Sequence, residues 1–270
     1  MFPLPHGRGS EELAAVDANL RQAMRFFGQA TGRGGIYEHA GITIVDSGID
    51  YAVFNISLFS GPQIASRLDF EERIKWSEAH FQQRRVRWSH WVCLDLLPRP
   101  LRDKADDAFR TRGLRRLTEA PGMLAKGLLP PSRALPRIRW RRVSDTETRI
   151  AFAHITAMSF DIPFNTCRDV YEPEHAWQGP YEGFIGFHQN TPVCTTALVT
   201  GGGVIGIYSV GTLPGHRRHG FAEALMRGVL AEKSAETGVA RYVLQSTRAG
   251  YDLYQRMGFR DVGRFAVYLT

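Results

Sequence analysis

The sequence predicts a mixed α/β protein made of two halves of similar length. Three observations predict it. Short apolar runs with strand character are interspersed with amphipathic stretches of helical period along the chain. Residues 127–137 carry Pro130, Pro131 and Pro136, which oppose regular structure and mark a boundary. One strand, residues 204–210, is followed by a proline, a basic loop with glycine in it, and a helix.

In the first half, residues 11–29 read as a helix, apolar at Leu13, Val16, Leu20, Met24 and Phe27, with Ser10 placed to cap it. Strands are expected at 41–45 and 52–58, a helix at 70–84, a strand at 90–96 and a helix at 101–112. In the second half a strand over 138–143 leads to a helix over 146–158 and a polar, aromatic connection over 160–179. Strands at 183–188, 192–200 and 204–210 follow. A helix at 220–237, a strand at 242–246, a short helix at 251–256 and a closing strand at 263–269 complete the chain. The halves echo each other faintly. In both, a strand leads to a helix that ends at a glycine, Gly113 in the first and Gly258 in the second, each read as a C-cap before another strand.

Composition narrows the function classes. Hydrophobic residues are 43% and charged residues 23%, as in an ordinary globular protein. No apolar run approaches the roughly 20 residues of a membrane helix, so no membrane partner is expected. Net charge is +7, yet the arginines are scattered and interleaved with acids such as Asp69, Glu71 and Glu72. That pattern argues against nucleic acid and fits either an anionic cofactor or simple compositional bias. Cys93, Cys167 and Cys194 are far apart and have no zinc spacing, so buried thiols, no metal and a reducing cytoplasm are expected.

The loop after residue 210 carries the chemistry. Amides at a helix start lack partners and, with the helix dipole, suit an anion such as a pyrophosphate. Gly220 permits a left-handed backbone, Ala222 keeps the helix start small, and Arg217, Arg218 and His219 add donors and charge. The same arrangement also occurs as a plain surface turn.

Arg217-x-x-Gly220-x-Ala222, with Pro214 three residues ahead of the arginine, resembles the acyl-CoA loop of the GNAT-type N-acetyltransferase superfamily, (Arg/Gln)-x-x-Gly-x-(Gly/Ala). The run Leu253-Tyr254-Gln255-Arg256-Met257-Gly258-Phe259 resembles its Tyr-x-x-x-Gly-Phe signature, in the expected order. The resemblance covers residues 138–270. It implies tandem GNAT-like domains, each a twisted, mixed, mostly antiparallel sheet flanked by helices. Residues 133–270 would be the acetyltransferase domain, and residues 1–132 a degenerate copy without the acyl-CoA loop.

The resemblance also implies roles. Val210 and Thr212 would offer backbone groups to pantetheine, and Arg217, Arg218, His219, Gly220, Phe221 and Ala222 would hold the pyrophosphate of acetyl-CoA. Tyr254 would be the general acid, with Tyr251 as runner-up and a tethered core phenol as the bland alternative. Gln245, Ser246 and Thr247 either face the cofactor or cap a strand. Asp161, Glu172, Glu174, His175 and Glu182 lie on the acceptor side, where no one of them is singled out as base; Tyr171 and Trp177 either wall the acceptor pocket or pack the loop. In the first half Phe109 stands where the second has Tyr254. The expected activity is acyl transfer to a small-molecule or peptide amine by direct attack in a ternary complex, in a monomer or homodimer. The alternative is an acyl-CoA-binding sensor without catalysis.

Overall fold

The computed structural model describes residues 8–61 and 63–270, with side chains from residue 11 onward. The first helix already begins at Arg8, so Ser10 lies within it and is not its cap, and Pro62 is outside the described residues.

The first half begins with α1, Arg8–Ala30, followed by β1 Gly35–His39, β2 Ile42–Asp46 and β3 Ile56–Phe59. Helix α2, Arg67–Arg84, leads to β4 Ser89–Cys93, the short helices α3 Arg99–Arg102 and α4 Ala105–Arg110, and β5 Arg115–Lys126. The second half contains β6 Arg139–Arg142, α5 Thr146–Phe160 and α6 Phe164–Tyr171. Strands β7 Tyr181–His188, β8 Thr191–Gly201 and β9 Val204–Thr212 precede α7 Phe221–Thr237. Strand β10 Arg241–Gln245, helix α8 Tyr251–Arg256 and strand β11 Arg260–Leu269 close the chain.

The eleven strands form one sheet in the order β1-β2-β3-β4-β11-β5-β10-β9-β8-β7-β6. The run β1 to β5 repeats the element order of β7 to β11. In each half the third and fourth strands of that run pair in parallel, β3 with β4 and β9 with β10, while their other neighbours are antiparallel. The final strands cross over. β5 of the first half lies between β10 and β11, and β11 of the second half lies between β5 and β4. The sheet is thus continuous across the proline-rich segment.

Helix α1 lies against this sheet and ties the halves together. Its apolar stripe of Leu13, Val16, Leu20 and Phe27 is buried in a core with Phe54 of the first half and Tyr171 and Phe152 of the second. Burying a side chain of that size stabilises by about 1.5–3 kcal/mol. Phe26 stacks on Tyr181 at 4.3 Å between ring centres. Asn19 Nδ2 donates to the Val199 carbonyl at 3.0 Å, and its Oδ1 accepts from Tyr208 at 2.7 Å. A second core lies under α7 and α8, and a third under α2 and α4.

Several expectations are corrected. The sequence-based strand over 52–58 begins as a 3₁₀ turn, Ala52–Phe54, because Asn55 diverts the chain: its amide bonds the Ile49 and Arg87 carbonyls at 2.7 and 2.8 Å. The helix over 101–112 is two helices, α3 and α4. The aromatic connection over 160–179 contains α6, whose buried Cys167, Val170 and Tyr171 lie on one face. Strand β1 has no counterpart in the sequence-based reading, and the strand expected after Gly113, to which no extent is assigned, is β5. β5 carries Arg115, Arg116, Glu119, Pro121 and Gly122, a composition that opposes a strand; its two neighbours in the sheet impose one.

Candidate active site

Strand β9 pairs with β10 only at Ile205–Tyr242 and Gly206–Val243. Beyond those residues the parallel strands separate. β9 continues to Thr212 along β8, while Leu244 and Gln245 of β10 stay on β5, opposite Met123 and Gly122. The Ser246 amide is held by the Pro121 carbonyl at 3.0 Å. One wall of the gap thus belongs to the second half, and the other is braced by a strand of the first.

β9 bulges just before the loop. Ser209 has φ +46, and the register with β8 shifts between Thr195 and Ala197, a local kink of the type that re-aims a strand end. Val210 sits in that bulge with no register partner on β8 or β10. Thr195 Oγ1 donates to the Ser209 carbonyl at 2.8 Å, and Tyr181 shares a 2.7 Å bond with Ser209 Oγ.

The loop then turns through a 3₁₀ turn, Pro214–His216, into α7. Arg218 and Gly220 adopt φ of +67 and +89. Among the described residues no acceptor meets the backbone amides of Arg218, His219, Gly220, Phe221, Ala222 or Glu223. Gly220 caps α7 without a side chain, so the dipole's positive end and these amides stay open. Successive open amides with left-handed turns form an anion-binding nest. Arg217 turns back: Nε donates to the Thr212 carbonyl at 3.1 Å and Nη2 to the Met158 carbonyl at 3.4 Å, fixing the loop to β9 and α5.

The corresponding helix start in the first half is closed. The Asp69 amide donates to Ser66 Oγ at 3.1 Å, and the Asp69 carboxylate accepts from the Ala65 amide at 2.9 Å. Asp69 also pairs with Arg73 at 2.7 Å, and those bonds hold its carboxyl below the usual range against the desolvation that raises it. Side chains there already occupy two of the amides that the α7 start leaves open.

Tyr254 is buried in the core under α7 and α8, 7% exposed, with its ring against Phe259. Among the described residues nothing hydrogen-bonds its hydroxyl. Burial raises its pKa well above the ordinary phenol range, so it stays protonated. Tyr251 differs: its hydroxyl donates to Asp261 at 3.0 Å and accepts from Gln255 at 2.9 Å. The glycine echo is exact in its bonding. Phe259 N bonds the Tyr254 carbonyl at 3.0 Å, and Leu114 N bonds the Phe109 carbonyl at 3.1 Å.

The acceptor-side candidates divide. Glu172 is paired with Arg168 at 2.6 Å, which holds its carboxyl low, and Glu182 with Lys233 at 2.8 Å. Asp161, Glu174 and His175 are exposed. Tyr171 is fully buried, and Trp177 Nε1 donates to its carbonyl at 2.9 Å, so both pack the core around Phe26. Gln245 was singled out in the sequence as one of three strand-end residues; its Nε2 is buried without a partner.

Residues 141–259 match the family model described as acetyltransferase (GNAT) family. The chain contains a GNAT-family acetyltransferase domain. Its whole length is similar in fold to a GCN5-related N-acetyltransferase from Kribbella flavida, at 16% identity and a TM-score of 0.70, covering 97% of this chain and 96% of that one. A tandem GNAT protein from the clavulanic acid biosynthesis pathway aligns over 97% of this chain and 94% of its own at 9% identity, with a TM-score of 0.58. A GCN5-related N-acetyltransferase from Sphaerobacter thermophilus aligns over 85% and 76% at 18% identity and a TM-score of 0.58. No curated protein matches the sequence. The fold is therefore a tandem GNAT, with the family model on its second half. Among the described residues no helix is long and apolar enough to cross a membrane.

Proposed function

We propose that the protein is an acyl-CoA-dependent N-acyltransferase that moves an acetyl group from acetyl-CoA to a primary amine, with one working site, in the second half. The observation that carries this reading is the open nest of six amides at the start of α7, set at the mouth of the β9–β10 gap. A pyrophosphate needs that donor set, and an extended pantetheine arm fits between strands that have stopped pairing. Val210, Thr212 and the loop Arg217, Arg218, His219, Gly220, Phe221 and Ala222 would hold the cofactor. The cofactor supplies the activated acetyl thioester; the protein supplies orientation and charge.

In the net reaction the acetyl group passes from sulfur to the amine nitrogen, the nitrogen loses a proton and the sulfur gains one. Tyr254 is the proton donor in this reading. Its hydroxyl is untethered and remains protonated at neutral pH, which suits an acid and not a base. Tyr251, bonded to Asp261 and Gln255, is less suited. The chain divides functionally at 132/133 into two GNAT-like units that exchange their last strands. Residues 1–132 form a silent unit in this reading, since Ser66 and Asp69 take up two amides of its helix start, no basic glycine loop precedes it and Phe109 has no proton to give.

Mass spectrometry of the purified protein, followed by CoA release across a panel of amines, tests the reading. An acetyl-CoA-bound protein that turns over at least one amine class supports it. Cofactor binding with no turnover on any amine would favour a sensor instead.

A further inference from the structure

The segment between the halves lies on the site. It leaves β5 with the Gly127 amide bonded to the Ala240 carbonyl at 2.8 Å. The Leu129 amide then bonds the Met257 carbonyl at 2.9 Å, and the Leu129 carbonyl accepts from Arg227 Nη1 of α7 at 2.7 Å. The strap is thus fastened to α7 and to the end of α8 before it reaches the loop. There Arg133 Nη2 donates to the Arg218 carbonyl at 3.2 Å. A Cβ built on Gly220 would lie 3.2 Å from Pro136 Cδ, 3.3 Å from Leu135 Cδ2 and 3.5 Å from Arg133 Nη2. The strap therefore covers one side of the glycine whose amide belongs to the nest.

Arg133 is an unspent cation in that place. Among the described residues it pairs with no carboxylate, and the Arg218 carbonyl is its one acceptor. Most of the other arginines along the chain are neutralised by acids. A guanidinium has five donors, so one bond to a carbonyl leaves a fork free for a phosphate. Residue 133 also lies outside the stretch that matches the family model.

We propose that Arg133 is a phosphate ligand: the strap between the halves carries a cation into the cofactor site and completes it. This rests on the acyl-CoA reading above and adds a residue from outside the matched domain. The phosphate it meets is either the pyrophosphate or the 3′-phosphate of CoA, and both are anions that a guanidinium fork grips in the same way.

Calorimetric titration of the full-length protein with CoA, dephospho-CoA and inorganic pyrophosphate tests the proposal, on the wild type, Arg133→Ala and Arg133→Lys. Arg133→Ala is expected to weaken CoA about tenfold, the size of one charge-assisted hydrogen bond, with a shallower salt dependence. Arg133→Lys should recover part of that loss. If dephospho-CoA is weakened equally, the ligand is the pyrophosphate; if dephospho-CoA is unaffected, it is the 3′-phosphate. A melting temperature measured beside each titration separates a clamp from a ligand, because a clamp on the Arg218 carbonyl would lower stability without changing the salt slope. Wild-type CoA binding that is unchanged in Arg133→Ala would overturn this proposal alone. A wild type that binds no CoA would overturn the acyl-CoA reading itself.

Discussion

Replacing Gly220 by alanine separates two roles that the structure assigns to one residue. Gly220 has φ +89, where an L side chain costs about 1–2 kcal/mol. Its Cβ would also press on Pro136 and Leu135 at 3.2 and 3.3 Å, so the strap must give by a few tenths of an ångström. Gly238 provides the control. It caps the other end of the same helix at φ +71, and a Cβ there meets nothing within 4 Å. Gly238→Ala should therefore cost the backbone term alone, roughly 1 kcal/mol, and leave CoA affinity as it was. Gly220→Ala should cost that much plus the strap contact, and a further few degrees of melting temperature at roughly 2–4 °C per kcal/mol. It should also weaken CoA at least tenfold, because relaxing φ re-aims the neighbouring amides. Thermal unfolding and titration calorimetry on the same three proteins read both effects. A Gly220→Ala protein that is destabilised yet binds CoA like the wild type would refute the assignment of these amides to the anion site.

Three other perturbations bear on separate parts of the argument. Tyr254→Phe should leave CoA affinity unchanged and lower kcat at least tenfold; because burial raises the Tyr254 pKa above the ordinary phenol range, no alkaline limb of the wild-type rate should trace to it below about pH 10, and a lower limb that vanishes in Tyr254→Phe would contradict this. Asp17 is pushed up to about 6 by burial that outweighs its 2.8 Å pair with Arg21. A raised carboxyl favours folding below its unfolded pKa near 3.8 and loses that contribution as pH rises through 6, so Asp17→Asn should gain up to about 3 kcal/mol on the wild type between those pH values; parallel urea titrations at pH 4 and 8 that show a constant difference would rule this out. Cutting the backbone after Ser132 should leave fragments that stay together through gel filtration, since β5 is hydrogen-bonded on both edges to strands of the other fragment; separation without denaturant would show the crossover to be weak.

The sequence made the second half legible because its signals are local. Residues 251–256 form the short helix read from the pattern, and the loop from Pro214 to Ala222 sits between a strand and a helix as expected. Tyr254 and the loop residues, the proposed site, are picked out by motif spacing alone, without tertiary information. What escaped depends on distant partners. β5 has Pro121 and Gly122 in mid-strand and charges along its first half, and only the edges of β10 and β11 make it a strand. Nothing in its residues reports that it sits in the other half of the sheet. Packing is one of two readings open for Tyr171 and Trp177; what their sequence does not report is the partner, Phe26, about 145–150 residues away on α1. Arg133 looked like part of a loop in a proline-rich boundary; its value lies in where Leu129 and Pro136 fasten it.

The two helix starts explain why a duplicated sheet would keep one site. At α7 the cap is a glycine and six amides are open; at α2 Ser66 and Asp69 take up two of the corresponding amides, those of Asp69 and Ala65, from within the chain. An N-cap of that kind stabilises a helix by about 1 kcal/mol, so closing the site strengthens the fold locally. It also sets the Asp69 carboxylate, paired with Arg73 at 2.7 Å, where an anion would otherwise approach the helix start. The first half nonetheless remains necessary to the second. Its β5 holds Gln245 and Ser246 on the far wall of the β9–β10 gap, and its exit strap ends on Gly220. On the proposed reading, a helix start without a ligand is kept in a half whose strand and strap shape the site of its neighbour.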